Sequence, residues 1–203
     1  MSAREAIKSI ARVIVGCLWP YRTVGKENIP AEGGAVLVCN HISNMDPIHL
    51  LVSQPRHIYF MAKKELFKIG LFRWLLGKIM GVFTVDRQSS DKDAVVHAIR
   101  LVQDGHMMGI FPEGTRSKDG NLARGKAGVS MIVARTGAPI VPCCILRKTK
   151  NRKLRLFCRS TIVFGKPIQP SELCLDGDRP DIRRGTRLLM ERIAQLMEEN
   201  ECV

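Results

Sequence analysis

The sequence predicts an α/β fold: a single domain with a mostly parallel or mixed sheet flanked by helices, and an amphipathic helix at its N-terminus. Short apolar runs bounded by turn residues alternate with segments of helical period, an order typical of such sheets. The 203 residues suit one domain, and 45% hydrophobic with 25% charged residues is a globular composition. No apolar stretch reaches the about 18 residues that a spanning helix needs, so we expect none.

A helical wheel divides residues 3–18 into two faces. The apolar face holds Ala3, Ile7, Ile10, Ile14, Cys17 and Leu18, and the polar face holds Arg4, Glu5, Lys8 and Arg12. Because such a helix can lie in a membrane interface, we predict that residues 1–20 associate with a membrane and that residues 21–203 form the rest of the domain. Glu5 and Arg12 interrupt the apolar residues and no small-residue cleavage site follows, so we expect no cleaved signal peptide.

The rest of the chain predicts strands and helices in alternation. The predicted strands are Ala35–Cys39, Ile58–Met61, Val82–Val85, Met107–Phe111, Ile140–Leu146 and Leu154–Phe164. The predicted helices are one that begins at Asp46-Pro47, one from Ser90 through Val102, Lys126–Thr136 and Asp181–Glu199. Asp46-Pro47 has N-cap and first-turn chemistry, Ser90 with Asp93 resembles a capping box, and Gly137 follows a helix end.

The segment from Lys63 to Met80 mixes large apolar residues with cations. The cations are Lys63, Lys64, Lys68, Arg73 and Lys78, among residues such as Leu66, Phe67, Leu71, Phe72, Trp74 and Leu75. Core helices rarely carry so many cations, whereas an anionic leaflet accommodates them. We predict a membrane contact here, with a pair of core helices as the alternative.

Positive charge is concentrated in the middle of the chain. The formal net charge is +13, and residues 116–166 hold 13 Lys and Arg against one acid, Asp119. Such a stretch indicates nucleic acid, an anionic membrane surface or a phosphorylated substrate as partner. Nucleic acid is disfavoured because only 5% of residues are aromatic and no basic–aromatic alternation occurs.

The seven cysteines have no C-x-x-C spacing, which predicts reduced core residues and no zinc site.

Two polar clusters follow predicted strands, where α/β sheets place their sites. In Asn40-His41-Ile42-Ser43-Asn44-Met45-Asp46, the carboxylate of Asp46 can accept a hydrogen bond from one imidazole nitrogen of His41 and leave the other as a general base. The alternative is that Asp46 only caps a helix. The loop Phe111-Pro112-Glu113-Gly114-Thr115-Arg116-Ser117 offers amides, hydroxyls and a guanidinium to an anion, or is simply a solvated turn.

Two further blocks complete a pattern. They are Gly81-Val82-Phe83-Thr84-Val85-Asp86-Arg87 and Ala138-Pro139-Ile140-Val141-Pro142. The four blocks in this order resemble the glycerolipid acyltransferase superfamily, most closely the bacterial-type 1-acylglycerol-3-phosphate (lysophosphatidate) acyltransferases. That family carries NHxxxxD, a G-x-x-F-I-x-R-like block, FPEGTRS and a V-P block, which here read NHISNMD, GVFTVDR, FPEGTRS and APIVP. The resemblance covers residues 20–170, roughly, and includes a lead-in at Tyr21–Pro30.

The resemblance implies acyl transfer to the sn-2 hydroxyl of lysophosphatidic acid without a covalent acyl-enzyme, giving phosphatidic acid in phospholipid biosynthesis. The donor would be acyl-CoA or acyl-carrier protein as co-substrate, with no cofactor and no metal. His41, oriented by Asp46, would be the base, and residues 21–203 the acyltransferase domain. The residues implied to bind substrate are Lys64, Arg87, Glu113, Gly114, Thr115, Arg116 and Lys126. Among them, Arg116 with Arg87, and Lys64 or Lys126 as a further cation, would neutralise the acceptor phosphate. Glu113 would orient a glycerol hydroxyl or brace the loop.

An enzyme of this kind is expected at the cytoplasmic face of the cell membrane, as a peripheral or monotopic protein. Other acceptors, glycerol-3-phosphate or another lysophospholipid, stay open, as does a non-catalytic peripheral lipid-binding module with an inert His41. A metal-dependent hydrolase using His41, Asp46 and His49 or His57 is disfavoured, because no H-E-x-x-H occurs.

Overall fold

The computed structural model describes residues 3–63, 83–85, 91–149 and 154–201. Its strands are β1 (Tyr21–Val24), β2 (Ala35–Cys39), β3 (Ile58–Lys63), β4 (Phe83–Val85), β5 (Met107–Ile110), β6 (Ile140–Arg147) and β7 (Ser160–Phe164). Its helices are α1 (Ala3–Leu18), α2 (Asp46–Ser53), α3 (Asp91–Gln103), α4 (Gly128–Thr136) and α5 (Ile182–Asn200), with short 3₁₀ turns at Lys26–Asn28 and Pro170–Leu173.

The strands form one seven-stranded sheet in the order β1-β7-β6-β2-β5-β3-β4. Among the described strands, β6 and β7 pair antiparallel and every other neighbouring pair is parallel. The predicted α/β fold with a mixed sheet flanked by helices is therefore confirmed. The central strands β2 and β6 are buried along their whole length, as expected for strands covered on both faces.

Side chains of β6 alternate between two apolar cores. Val141, Cys143 and Ile145 face the core that also contains Leu50 of α2. Ile140, Cys144 and Leu146 contribute to the larger core, which lies under α3, α4 and α5. Because the period of a strand is two residues, the last residue of β6, Arg147, falls on the α2 side of the sheet. None of the described cysteines forms a disulfide; Cys39, Cys143 and Cys144 are buried as predicted, whereas Cys17 is exposed and not a core residue.

One strand prediction was wrong in its bounds, and one strand was missed. The predicted strand Leu154–Phe164 is a strand only from Ser160, because residues before it turn against the end of α1: Phe157 has a left-handed φ of 61° and its amide donates to the Leu18 carbonyl at 2.9 Å. The edge strand β1 was not predicted. The helix predicted from Lys126 begins at Gly128.

The predicted N-terminal helix is confirmed over Ala3–Leu18, and the side chains of Lys8 and Arg12 contact the rest of the protein. Lys8 Nζ donates to the carbonyls of Pro55 and Arg56 at 2.8 and 2.9 Å, and Arg12 Nε donates to Val52 at 3.0 Å. Burial, and then the charge of Arg12, lower the pKa of Lys8 to about 8. The apolar side faces outward instead: Ile10, Val13 and Ile14 are 61%, 66% and 51% exposed.

No helix of the described residues is both long enough and apolar enough to cross a bilayer. The predicted membrane contact at Lys63–Met80 lies outside the described residues beyond Lys63, as does Ser90 of the predicted capping box.

Candidate active site

The site begins where β2 ends, at Asn40. The Asn40 side chain is buried and exchanges two hydrogen bonds with the backbone of Ile145 in β6: its Oδ1 accepts the amide at 2.8 Å and its Nδ2 donates to the carbonyl at 3.2 Å. A side-chain amide thus continues the pairing of β2 with β6 for one more position. The backbone is free to turn away, and this places His41 at the carboxyl edge of the sheet.

His41 and Asp46 are brought together as the sequence predicts. His41 Nδ1 lies 3.0 Å from Asp46 Oδ2, and the imidazole stacks on the Phe111 ring with 4.0 Å between centroids. Because a carboxylate only accepts, Nδ1 carries the proton in neutral His41, so Nε2 has a lone pair free. The histidine side chain is 17% exposed and that of Asp46 is 0% exposed. The imidazole of His41 therefore lies at the rim of the site, and its carboxylate partner lies inside.

The Asp46 carboxylate does not act as a simple helix cap. Met45 occupies the N-cap position of α2, and Asp46 is the first helical residue. Its Oδ2 also accepts the amides of Ile42 and Ser43, which precede the helix, each at 2.7 Å. Burial by itself would raise the pKa of Asp46, but the His41 hydrogen bond and the nearby Arg147 charge outweigh it and lower the pKa. Asp46 is therefore held as a carboxylate.

Glu113 ties two loops together. Its Oε1 accepts the amide of His41 at 2.8 Å, and its Oε2 accepts the amide of Ala123 at 3.0 Å. The residue is 4% exposed, and burial raises its pKa against the opposing effect of these two hydrogen bonds. A second bond, from the Ser117 amide to the His41 carbonyl at 2.7 Å, joins the same loops. Of the two predicted roles for Glu113, the contacts support bracing.

The FPEGTRS loop presents its tip outward. Gly114 has a φ of 70°, a conformation that disfavours side chains, and a Cβ there would come within 2.7 Å of Lys126 Nζ. The Lys126 side chain therefore crosses the loop at Gly114. Thr115 and Arg116 are exposed next to it. The structure brings His41, Asp46, Glu113, Gly114, Thr115, Arg116 and Lys126 to one edge of the sheet, while Lys64 and Arg87 lie outside the described residues.

Sequence reasoning missed Arg147. Its Nη2 donates to Asp46 Oδ1 at 2.7 Å, and its Nε donates to Ser160 Oγ at 3.0 Å. The available signal was that Arg147, the first of the cations in Arg147-Lys148-Thr149-Lys150, directly follows the apolar run of a buried strand. The pKa of His49, a buried residue of α2, is lowered mainly by burial and further by the positive charge of Arg147.

Within the described residues, no group of three or more His, Cys, Asp or Glu side chains is arranged to hold a metal ion.

The structure is an α/β domain with a seven-stranded mixed sheet, and a His–Asp pair and a cationic loop lie together at the carboxyl edge of that sheet. The sequence model of the Acyltransferase family matches residues 21–146. The chain belongs to this acyltransferase family, and it is an enzyme of that class.

The chain is also similar to individual proteins that are named as acyltransferases. The chain is 32% identical over 188 residues to the 1-acyl-sn-glycerol-3-phosphate acyltransferase of Bacillus subtilis (strain 168), covering 91% of this chain and 92% of that protein. It is 38% identical over 125 residues to the chloroplastic enzyme BAT2 of Brassica napus, covering 60% of this chain. The crystal structure of the 1-acyl-sn-glycerophosphate (LPA) acyltransferase PlsC from Thermotoga maritima superimposes with a TM-score of 0.70 at 25% identity, over 95% of this chain and 79% of that one.

The lengths of these relatives differ. The chain spans nearly all of the Bacillus protein, but its matches cover 48% of the relative from Borreliella burgdorferi and 36% of the Brassica enzyme. What the shared names establish is the family and its class of reaction.

Proposed function

We propose that this chain transfers an acyl group from an acyl thioester to the sn-2 hydroxyl of 1-acylglycerol-3-phosphate, giving phosphatidic acid. The observation that carries the proposal is the His41–Asp46 pair, with 3.0 Å between Nδ1 and Oδ2, at the edge where the cationic FPEGTRS loop lies. The names of the Bacillus and Thermotoga relatives support the acceptor. The reaction is part of phospholipid biosynthesis.

The proposed chemistry needs one base and no covalent acyl-enzyme. His41 Nε2 removes the sn-2 hydroxyl proton as the alkoxide oxygen attacks the thioester carbonyl. The new C–O ester bond forms, the C–S bond breaks, and the imidazolium returns the proton to the departing thiolate. Asp46 fixes the tautomer with Nε2 unprotonated and stabilises the imidazolium that forms in between. Neither acyl-CoA nor acyl-carrier protein is favoured as donor by these residues.

The acceptor phosphate is assigned to the exposed cations beside His41. Arg116 provides the guanidinium of the loop tip, and Lys126 adds an ammonium held over Gly114. The positive charge of these two side chains attracts the dianionic headgroup. Arg87 and Lys64 stay predictions from the family resemblance.

The function is tested by acceptor-dependent thiol release. Purified protein is given an acyl-CoA or acyl-carrier protein, with and without 1-acylglycerol-3-phosphate, and the product is identified by mass. We expect thiol release only with acceptor and a product with two acyl chains. Glycerol-3-phosphate and lysophosphatidylcholine serve as competing acceptors, and faster transfer to either would replace the proposed acceptor. A binding module without catalysis would release no thiol with any acceptor.

Arg116→Ala is expected to raise the KM for 1-acylglycerol-3-phosphate about 10–100-fold and to leave the KM for the donor nearly unchanged. The reason is the loss of one charge-assisted contact to phosphate, worth about 1.5–3 kcal/mol. Steady-state kinetics with each substrate varied in turn measures both constants. Arg135→Ala is the matched control, because this exposed arginine lies in the last turn of α4, just before the strand β6 begins at the opposite edge of the sheet. A larger effect on the donor KM would assign Arg116 to the donor's phosphates instead.

We further propose that the protein is peripheral or monotopic on an anionic membrane through the outward side of α1. Ile10, Val13 and Ile14 are exposed on this helix because Lys8 and Arg12 hold the opposite side to the protein. The apolar surface continues past the end of α1, where the Phe157 amide bonds to the Leu18 carbonyl. Leu156 and Phe157 are 56% and 72% exposed, and the exposed Arg155 and Arg159 flank them. Apolar tips flanked by cations suit an anionic interface.

Val13→Glu combined with Ile14→Glu is expected to release most of the protein from anionic vesicles in a flotation assay. Two carboxylates in the apolar face oppose both insertion and the anionic surface. The fold should persist, because both side chains are already exposed to water. Val96→Glu is the control: Val96 is 48% exposed on α3, away from this surface, and its variant should float like the parent. Flotation of the double variant at the parent level would contradict α1 as the membrane contact.

A further inference from the structure

Arg147 is the last residue of the buried strand β6 and stands 101 residues from Asp46 in the chain. Its side chain is 1% exposed, and the carboxylate it contacts is 0% exposed. The register of the sheet explains its position: Arg147 pairs with Ser160 of β7, and the Ser160 hydroxyl accepts from Nε at 3.0 Å. The guanidinium is therefore fixed from the β7 side while Nη2 reaches Asp46 at 2.7 Å.

The two oxygens of the Asp46 carboxylate have different hydrogen-bond donors. Oδ2 accepts from His41 Nδ1 and from the amides of Ile42 and Ser43. Oδ1 accepts from Arg147 Nη2. Four donors converge on one carboxylate, and Arg147 is the donor that comes from the opposite side. Its bond fixes the rotation of the carboxylate, and that rotation decides whether Oδ2 points at the imidazole.

Structural need alone does not account for an arginine here. Burying an ion pair carries a desolvation penalty, so apolar residues of similar volume often hold a core equally well. Arg147 Nη1 is moreover a buried donor with no hydrogen-bond partner among the described residues, which adds to the cost. A buried cation with one donor unsatisfied, directed at the carboxylate of the candidate base, is an arrangement expected at a functional site.

We propose that Arg147 is a positioning residue for acyl transfer, acting through Asp46, so that the working unit is a buried Arg147–Asp46–His41 chain of hydrogen bonds. The proposal rests on the proposed function, in which His41 is the base. Arg147 does not touch the substrates. It keeps Asp46 in the orientation that holds the imidazole and sets its tautomer.

The test is a double-mutant cycle on kcat with vesicle-borne 1-acylglycerol-3-phosphate and an acyl-CoA. Arg147→Gln is expected to lower kcat about tenfold, within the range for residues of one hydrogen-bond network, and to leave both KM values within about twofold. Arg147→Lys keeps the charge and should recover part of the loss. In the Asp46→Asn background, Arg147→Gln should cause no further loss of kcat, because the residue through which it acts is already changed. Lys148→Gln is the matched control, an exposed neighbour expected to keep the parent kcat.

The outcomes separate the inference from the function on which it rests. A folded Arg147→Gln enzyme with parent kcat, or a loss that multiplies in full with that of Asp46→Asn, would overturn the positioning role. Should Arg147→Gln not fold, Arg147→Lys is carried through the same cycle, and a full multiplicative loss there overturns it as well. Failure of the proposed function shows elsewhere, as activity retained in His41→Ala.

Discussion

Replacing His41 with alanine is expected to lower kcat about 10²–10⁴-fold, the usual contribution of a general base. The fold should persist, because Asp46 keeps the bonds from Ile42, Ser43 and Arg147 when the imidazole is removed. Initial rates of thiol release measure the effect, and a cooperative thermal transition verifies folding.

The control for this variant is His106→Ala, which removes an exposed imidazole that follows α3 and precedes β5. It should keep the parent rate. A folded His41→Ala protein that turns over at more than about a tenth of the parent rate would remove His41 from the role of base, since a base contributes more than that.

Asp46→Asn is expected to lower kcat by a comparable factor, about 10²–10⁴-fold, and also to destabilise the protein. An amide can present an N–H to His41 Nδ1 and so favour the tautomer that lacks a lone pair on Nε2. Arg147 then stays buried without a counter-charge, and breaking one side of a buried pair costs about 3–5 kcal/mol. Steady-state kinetics and urea unfolding measure the two effects. Asp119→Asn, in an exposed loop, is the matched control.

The pH dependence of the free energy of unfolding, compared between the parent and Asp46→Asn, measures the contribution of the Asp46 charge. The folded-state pKa of Asp46 lies below its ordinary value, so its ionised form contributes stability that is complete above about pH 4 and is lost as pH falls through the lower folded pKa. Asparagine has no such dependence. The stability difference between parent and Asp46→Asn should therefore be constant near neutral pH and shrink below about pH 4. A difference that does not change with pH would show that the Asp46 charge adds nothing to folding.

The sequence predicted the strands and helices that are determined by neighbouring residues in the chain. Strand β2, Ala35–Cys39, has the predicted bounds because an apolar run lies between glycines and Asn40. Helix α1 was predicted from the helical spacing of its apolar residues, and the structure confirms it. Strand β1 has no apolar run, and its strand character comes from parallel pairing with β7, far along the chain. The run at Leu154 has strand composition, but the contact of Phe157 with the end of α1 prevails over it.

The same distinction holds at the site. His41 and Asp46 lie five positions apart, and one turn brings them together, so their spacing carried the information. The inward face of α1 and the place of Arg147 depend on register and on packing across the sheet. A cation at a strand end usually marks the strand's exit into solvent, and only the pairing of Arg147 with Ser160 shows that this one is buried. The bracing role of Glu113 likewise depends on the amide of Ala123, in another part of the loop.

The membrane contact proposed for the outward apolar side of α1 has a consequence for how the enzyme would encounter its acceptor. A protein kept at a lipid surface by Ile10, Val13 and Ile14 searches by lateral diffusion in two dimensions. Its rate then follows the mole fraction of acceptor within the surface and is indifferent to the volume of buffer around the vesicles. Diluting the acceptor with an inert lipid of the same charge slows turnover, whereas diluting the whole suspension does not. With the proposed contact, the acceptor's density in the surface, and not its concentration in the bulk solution, would set the rate.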